Sequence, residues 1–357
     1  MNLLLLKNTQ RAVVRLCTLP NSHPLHDIVH QAATSKPAKH LTPIDNLDGL
    51  FHLDPKNTES IIPTAQSPYH IQKFKVTTAD TREESIELEK NNKADYRIYT
   101  DGSGIEGNTG AVAVMYKKGR KTLIKSLQYY LGPKEDHNSY EAELIGGILG
   151  VWLAESSPET RGKTVLLYTD NQSLLQAVTK IGSKSGQHLV KALEDLANNA
   201  KCKLTFNWIS GHRKVEGNEK VDKLAKQAAD HKSSRIKHLP PKLRKTISVS
   251  ALKEKYHKSL LAEWEESWSN SPRKARVEEI DNLFPFSRYR KNQQKLTRDQ
   301  ASKMIQVVIG TGLQTCACSA VGLQGYMYGY EISTLAKPIP LVTGIRVGGM
   351  ENFKYII

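Results

Sequence analysis

Cysteine is scarce in this chain, and its placement excludes two classes at once. Cys17, Cys202, Cys316 and Cys318 show neither a disulfide framework nor zinc-site spacing, and Cys316 stands too close to Cys318 for a C-x-x-C pair. A reducing, intracellular setting fits best. Long apolar runs are missing as well. The opening Met1–Lys7 lacks a basic n-region, and its run of leucines is too short for a signal peptide. Residues 304–330 carry no charge, yet Gly, Gln, Thr and Ser fill them too densely for a membrane span. No internal repeat is visible. Acidic residues are outnumbered, 36 Asp and Glu against 51 Lys and Arg, for a formal net charge of +15 over 357 residues. That balance favours polyanionic partners. A soluble, monomeric protein without a small-molecule cofactor is expected.

Four segments follow from composition. Residues 1–93 read as a partly helical, loosely packed leader: Arg11–Leu19 can form a helix, and prolines at 37, 43, 55, 63 and 68 mark an extended connector. Residues 94–232 carry a regular pattern. Strand-like runs at 96–100, 111–116 and 122–131 precede a helix at 140–154; then come a strand at 164–169, helices at 171–181 and 186–199, a strand at 203–209 and a helix at 217–231. Three antiparallel strands followed by alternating helices and strands predict a five-stranded mixed α/β sheet with helices on both faces. Residues 233–309 form a basic, largely helical extension in which Leu260, Trp264 and Trp268 have helical spacing. Residues 310–357 are a Gly-rich, nearly uncharged tail.

Within the regular region four acids stand where a carboxylate is presented. Asp101 ends one strand-like run and opens the turn Gly102-Ser103-Gly104, and Asp170 ends another. Glu143 lies in the first turns of a helix, and Asp222 rides on a helix entered through Gly217-Asn218. Carboxylates at the carboxyl ends of strands can project into the crevice where α/β sheets bind ligands. Four converging acids cannot all stay ionised without a compensating cation, and oxygen donors suit Mg²⁺ or Mn²⁺. This pattern predicts a two-metal phosphodiester hydrolase. Each acid alone has a plainer reading, a turn-capping Asp or a solvated helix charge; jointly those readings require several coincidences.

The central motifs resemble the type 1 ribonuclease H family: TDGSG at 100–104, AEL at 142–144, YTDNQS at 168–173, and W-x-x-G-H at 208–212 followed by GNEKVD at 217–222, in the family's order. The flanking RAVVRLCTLPNSHPLH and LTRDQASKMIQ resemble fungal non-LTR retrotransposon polyproteins. The resemblance implies a ribonuclease H-like fold and an endonuclease cleaving the RNA strand of RNA/DNA hybrids with two Mg²⁺ or Mn²⁺ ions. It implies Asp101, Glu143, Asp170 and Asp222 as catalytic metal ligands, and His212 as a loop histidine assisting proton transfer or product release. Gly102, Ser103, Asn108, Asn171 and Asn218 become candidate substrate contacts, with Gly102, Gly104 and Gly110 expected to let backbone approach the sugar-phosphate chain. Helical periodicity does not choose between Glu141 and Glu143, which lie roughly 200° apart on a helix; the resemblance chooses Glu143. Family members often carry a basic protrusion where residues 181–186 here join two helices directly. Three rivals compete with this reading: a DDE-type transposase, opposed by Glu143 preceding Asp170; a complete reverse transcriptase, for which the chain lacks room; and a catalytically inactive nucleic-acid-binding retroelement remnant.

Overall fold

Alternating burial along Tyr96–Tyr99 places Tyr96 and Ile98 under one layer of helices and Tyr99 under another, so the strand that carries Asp101 is covered on both faces. The computed structural model describes residues 3–32, 53–63, 70–120, 122–211, 215–240, 243, 246–272, 274–278, 282, 285, 291 and 293–302. Its helices are α1 (Leu3–Cys17), α2 (His26–Ala32), α3 (Arg82–Lys90), α4 (Ser139–Glu155), α5 (Gln172–Thr179), α6 (Gln187–Asn198), α7 (Glu216–Ala229), α8 (Val249–Ser269) and α9 (Lys274–Glu278). Its strands are β1 (Lys75–Thr77), β2 (Tyr96–Ile105), β3 (Asn108–Lys117), β4 (Lys125–Pro133), β5 (Thr164–Thr169) and β6 (Lys203–Trp208).

The sheet has six strands in the order β1-β6-β5-β2-β3-β4, one more than the sequence pattern predicts. The addition is β1, three residues paired parallel to β6 and too short to carry a readable alternation. β2, β5 and β6 are parallel, while β2, β3 and β4 form an antiparallel meander. One core lies between the sheet and α4, α5 and α6. A second lies under α7, where Tyr99, Val112, Val114 and Tyr168 meet Val221 and Ala225. Helix α4 is buried nearly all round, which is why its sequence shows apolar residues on every side and little amphipathic contrast.

The β2–β3 hairpin differs from the sequence reading. Gly102-Ser103-Gly104 is not a turn: β2 runs on to Ile105, and the chain reverses at Glu106-Gly107, both left-handed (φ 49° and 78°). That is the backbone a two-residue hairpin demands.

The flanks also fold. Val13, Val14, Cys17, Val29 and Leu53 form a small core with Val249 and Leu252 at the start of α8. A buried carboxylate, Glu59, fastens this core to the sheet domain. It accepts from the Gly186 N–H (2.7 Å), the Val249 N–H (2.8 Å) and the Ser185 hydroxyl. Burial pushes its carboxyl up, but the His188 ring first and then these donors hold it below the usual range. The chain divides into two compact units, Met1–Ala262 and Glu263–Ile357; the second is helical among its described residues. Most of the predicted proline-marked connector, His212 and all of the 310–357 tail lie outside the described residues. Among the described residues no helix is long and apolar enough to cross a membrane.

Candidate active site

Parallel pairing brings the two aspartates level. β2 pairs β5 with Tyr96 opposite Val165 and Tyr99 opposite Tyr168. Two residues further along the same register, Asp101 stands opposite Asp170. The Thr100 hydroxyl donates to the Tyr168 carbonyl (3.3 Å), and the Trp208 indole N–H donates to the Asp170 carbonyl (3.1 Å). Both strand ends are thereby fixed.

Glu143 arrives from α4, and the helix start sets its rotation. Asn138 caps α4 by accepting from the Glu141 N–H (2.8 Å), while the Glu141 carboxylate accepts from the Asn138 N–H (3.1 Å). This capping box consumes Glu141 at the helix terminus, and Glu143 faces the aspartates instead. The approach of α4 to β2 depends on Gly102. A Cβ there would stand 2.3 Å from the Glu143 nitrogen. Gly110 does the same for α7, where a Cβ would stand 2.2 Å from the Ala229 nitrogen. The spaces beside these two glycines are filled by the protein's own helices, which corrects the expectation that they open the backbone to a ligand.

One oxygen from each of Asp101, Glu143 and Asp170 lies within 4.8 Å of the others. Burial, then the charges of Asp170 and Asp222, push the Asp101 carboxyl up to about 7. Burial, then Asp101 and Asp170, raise Glu143 well above the usual carboxylate range. Hydrogen bonds from the Asn171 side chain and the Gly102 backbone oppose this only partly. Glu143 Oε2 is buried without a hydrogen-bond partner. A buried acceptor left unmatched beside two more carboxylates fits a hard divalent cation, which takes all-oxygen donor sets.

Asp222 stands at the rim. It reaches Asp101 electrostatically but is not one of the close triplet, and its carboxylate pairs with Lys226 Nζ at 2.8 Å. The Lys226 partner was readable as an (i, i+4) pair, a signal that the motif overshadowed. Asn171 caps α5 through the Leu174 N–H (3.0 Å) as well as serving Glu143. Asn108 opens β3 and accepts from the Tyr130 hydroxyl (2.9 Å). Ser103 lies in β2, and Asn218 is buried in the first turn of α7. Gly211 borders Asp170, with room for no Cβ: one would stand 2.7 Å from Asp170 Oδ2.

The raised carboxyls set a pH dependence. Asp101 and Glu143 bind protons more tightly folded than unfolded, so without metal the folded state holds extra protons above pH ~4, the ordinary carboxylate range. Stability therefore falls as pH rises from there through about 7. In EDTA the melting temperature should drop across that window, and Mg²⁺ should flatten the drop by stabilising the ionised triplet. Identical melting curves with and without Mg²⁺ at every pH would count against a cation site here.

The RNase H family model matches residues 93–230. Ribonuclease H of Shewanella amazonensis is 31% identical over 156 residues, covering 39% of this chain and 92% of that protein. Ribonuclease H of Pseudomonas fluorescens is 30% identical over 149 residues, covering 37% and 89%. Among solved structures, RNase H1 of Halobacterium salinarum is 15% identical, covers 38% of this chain and 98% of its own, and has a TM-score of 0.32.

Proposed function

This chain belongs to the ribonuclease H family, and from that premise we propose that its 94–232 region cleaves the RNA strand of RNA/DNA hybrids with two divalent cations. The observation that carries the reading is the close triplet of buried Glu143 with half-buried Asp101 and Asp170, with Glu143 Oε2 left without a partner. Asp101, Glu143 and Asp170 would hold Mg²⁺ or Mn²⁺, with Asp222 completing the set from the rim. When bound, the ions supply a water of lowered pKa and neutralise charge at the scissile phosphate.

The chain's own groups do the rest. Asn171 orients the Glu143 carboxylate while its side-chain oxygen caps α5. Asn108, Ser103 and Asn218 line the approach of the RNA strand, whose 2′-hydroxyls in a wide minor groove distinguish it from DNA. His212 exchanges protons near neutral pH and assists release of the product phosphate. The resemblance of the flanks supports an origin in a retroelement polyprotein, acting inside the cell as a monomer.

The test is a metal-dependence assay on a hybrid labelled in the RNA strand, using the full chain with Mg²⁺ or Mn²⁺ against EDTA. RNA cleavage only with metal, and none of the DNA strand, is the expected result. Tight hybrid binding without cleavage under any metal would support the inactive remnant instead. In the same assay His212→Ala should slow turnover severalfold yet leave metal-dependent cleavage detectable, whereas Asp101→Asn should abolish it. Full turnover in the His212 variant would make that histidine idle.

A further inference from the structure

Helix α1 carries an anomaly on its buried stripe. Positions 10, 13, 14 and 17 share one helical face, and Val13, Val14 and Cys17 fill it as a core should. The remaining position is Gln10, only 8% exposed, and its Oε1 has no hydrogen-bond partner. An apolar residue there would be more stable, since a buried acceptor left unmet is destabilising. Gln10 lines a groove of about 450 Å³ between α1 and α8. Lys7 and Arg11 from α1, with Lys253 and His257 from α8, line the same groove. Among the described residues none of Lys7, Arg11 and Lys253 pairs with a carboxylate. The one acid in the lining, Glu254, is already bonded to Lys258 (2.8 Å).

We propose that this groove is a second nucleic-acid contact, which grips the phosphate backbone of the duplex arm leaving the active site. The groove's substrate follows from the hybrid-cleaving reading, and its location from independent observations. α8 begins beside α4: the Asn138 amide donates to the Ser248 hydroxyl (3.3 Å), and the Ser248 N–H donates to the Asp136 carbonyl (2.8 Å). Asn138 is the cap of the helix that carries Glu143. The Asn138 amide also donates to the Ser250 hydroxyl, and at a rise of about 1.5 Å per residue Lys253 lies ~5 Å and His257 ~11 Å beyond Ser250. Traced along α4 and α8 the groove therefore opens roughly 20–25 Å from Glu143, past the ~17 Å to which one turn of duplex centred there extends on either side. Cations without acidic partners match phosphates, and the unmet Gln10 oxygen, which can only accept, matches a hydroxyl donor on the sugar of the same backbone.

The test uses the full chain in EDTA, which stops cleavage, and two fluorescent hybrids. One spans about three duplex turns and reaches the groove; the other, about one turn centred on the site, does not. Arg11 and Lys253 are exposed and Lys7 is half-buried, so charge reversal at these positions leaves the core intact. Lys7→Glu/Arg11→Glu and Lys253→Glu should each weaken binding of the long hybrid about tenfold. Each should also lower the salt slope by close to one unit for every phosphate no longer neutralised. Binding of the short hybrid, and kcat at saturation with Mg²⁺, should stay within about twofold of the parent protein. Gln10→Leu should melt no lower than the parent yet bind the long hybrid more weakly, the reverse of a purely structural residue. Parental affinity and salt slope in both charge variants would overturn the proposal, as would equal losses on both hybrids. A larger loss on single-stranded RNA would overturn the duplex assignment. If the parent protein cleaves nothing but the length-dependent losses hold, the active-site reading falls and the groove stands.

Discussion

Replacing Glu143 with Gln should cut metal-dependent hybrid cleavage by well over ~100-fold, because groups merely supporting a metal ligand already cost 10–100-fold when removed. The Glu141→Gln variant should keep most activity. The two residues differ in what they touch. Glu141 spends its carboxylate on the Asn138 N–H, a bond that a glutamine oxygen can also accept. Glu143 offers a buried oxygen that no protein donor meets. The Glu143 variant should also melt no lower than the parent protein in EDTA, since it removes a charge that burial and two aspartates oppose. Initial rates on an RNA-labelled hybrid, read beside melting curves, decide the matter. Comparable losses of activity in both variants would show that the wrong glutamate serves the site.

Gly102→Ala should be among the most damaging single methyls in the sheet, and the one that also moves a metal-site residue. Its Cβ would stand 2.3 Å from the Glu143 nitrogen, 2.4 Å from the Ala142 carbonyl carbon and 2.8 Å from the Ala142 Cβ. Two of these are backbone atoms of α4, which cannot rotate away, so the helix must lift off β2 or the strand must bend. Overpacking of this kind costs about 1–3 kcal/mol and more where backbone must move. At 2–4 °C per kcal/mol for a domain of this size, a fall of about 10 °C in melting temperature is expected. Because Glu143 rides on the displaced helix, metal affinity should fall with it. Gly104→Ala is the control: its nearest neighbour is the Ser139 hydroxyl at 3.1 Å, a side chain free to turn. Equal melting temperatures for Gly102→Ala and the parent protein would show that α4 has slack the structure does not suggest.

The glycines explain where reading from sequence stopped. A run such as Gly102-Ser103-Gly104 has the composition of a turn, and nothing local distinguishes a glycine that bends the chain from one that admits a helix; only Ala142 and Glu143, forty residues on, decide it. The strands at 96–100 and 164–169 were legible because apolar and aromatic residues dominate both runs, and the levels of Asp101 and Asp170 followed from them. β1 was not legible, since its three residues alternate too briefly and pair with a strand about 130 positions away. The order of the acidic motifs pointed to the three residues that the fold gathers, but not to the position of Asp222 outside their close group, which its bond to Lys226 accompanies. Leu53 and Glu59 sit in proline-dotted sequence that reads as a connector, yet both are buried. Their partners Val249 and Leu252 follow the whole catalytic region, beyond any local pattern.

The Glu59 clasp therefore imposes an order on biosynthesis. Its carboxylate meets the Val249 N–H across 190 positions of chain. At 5–20 residues per second, a ribosome needs roughly 10–40 s to make that stretch. During this interval the leader's Val13, Val14 and Leu53 have no Val249 or Leu252 to cover them, and Glu59 lacks one of its donors. The sheet domain can close first, and the amino-terminal segment is sealed last, by residues that leave the ribosome after the domain they enclose. A nascent chain stalled before residue 247 should thus carry a folded sheet and an exposed apolar leader, the state in which holdase chaperones and proteases would find it.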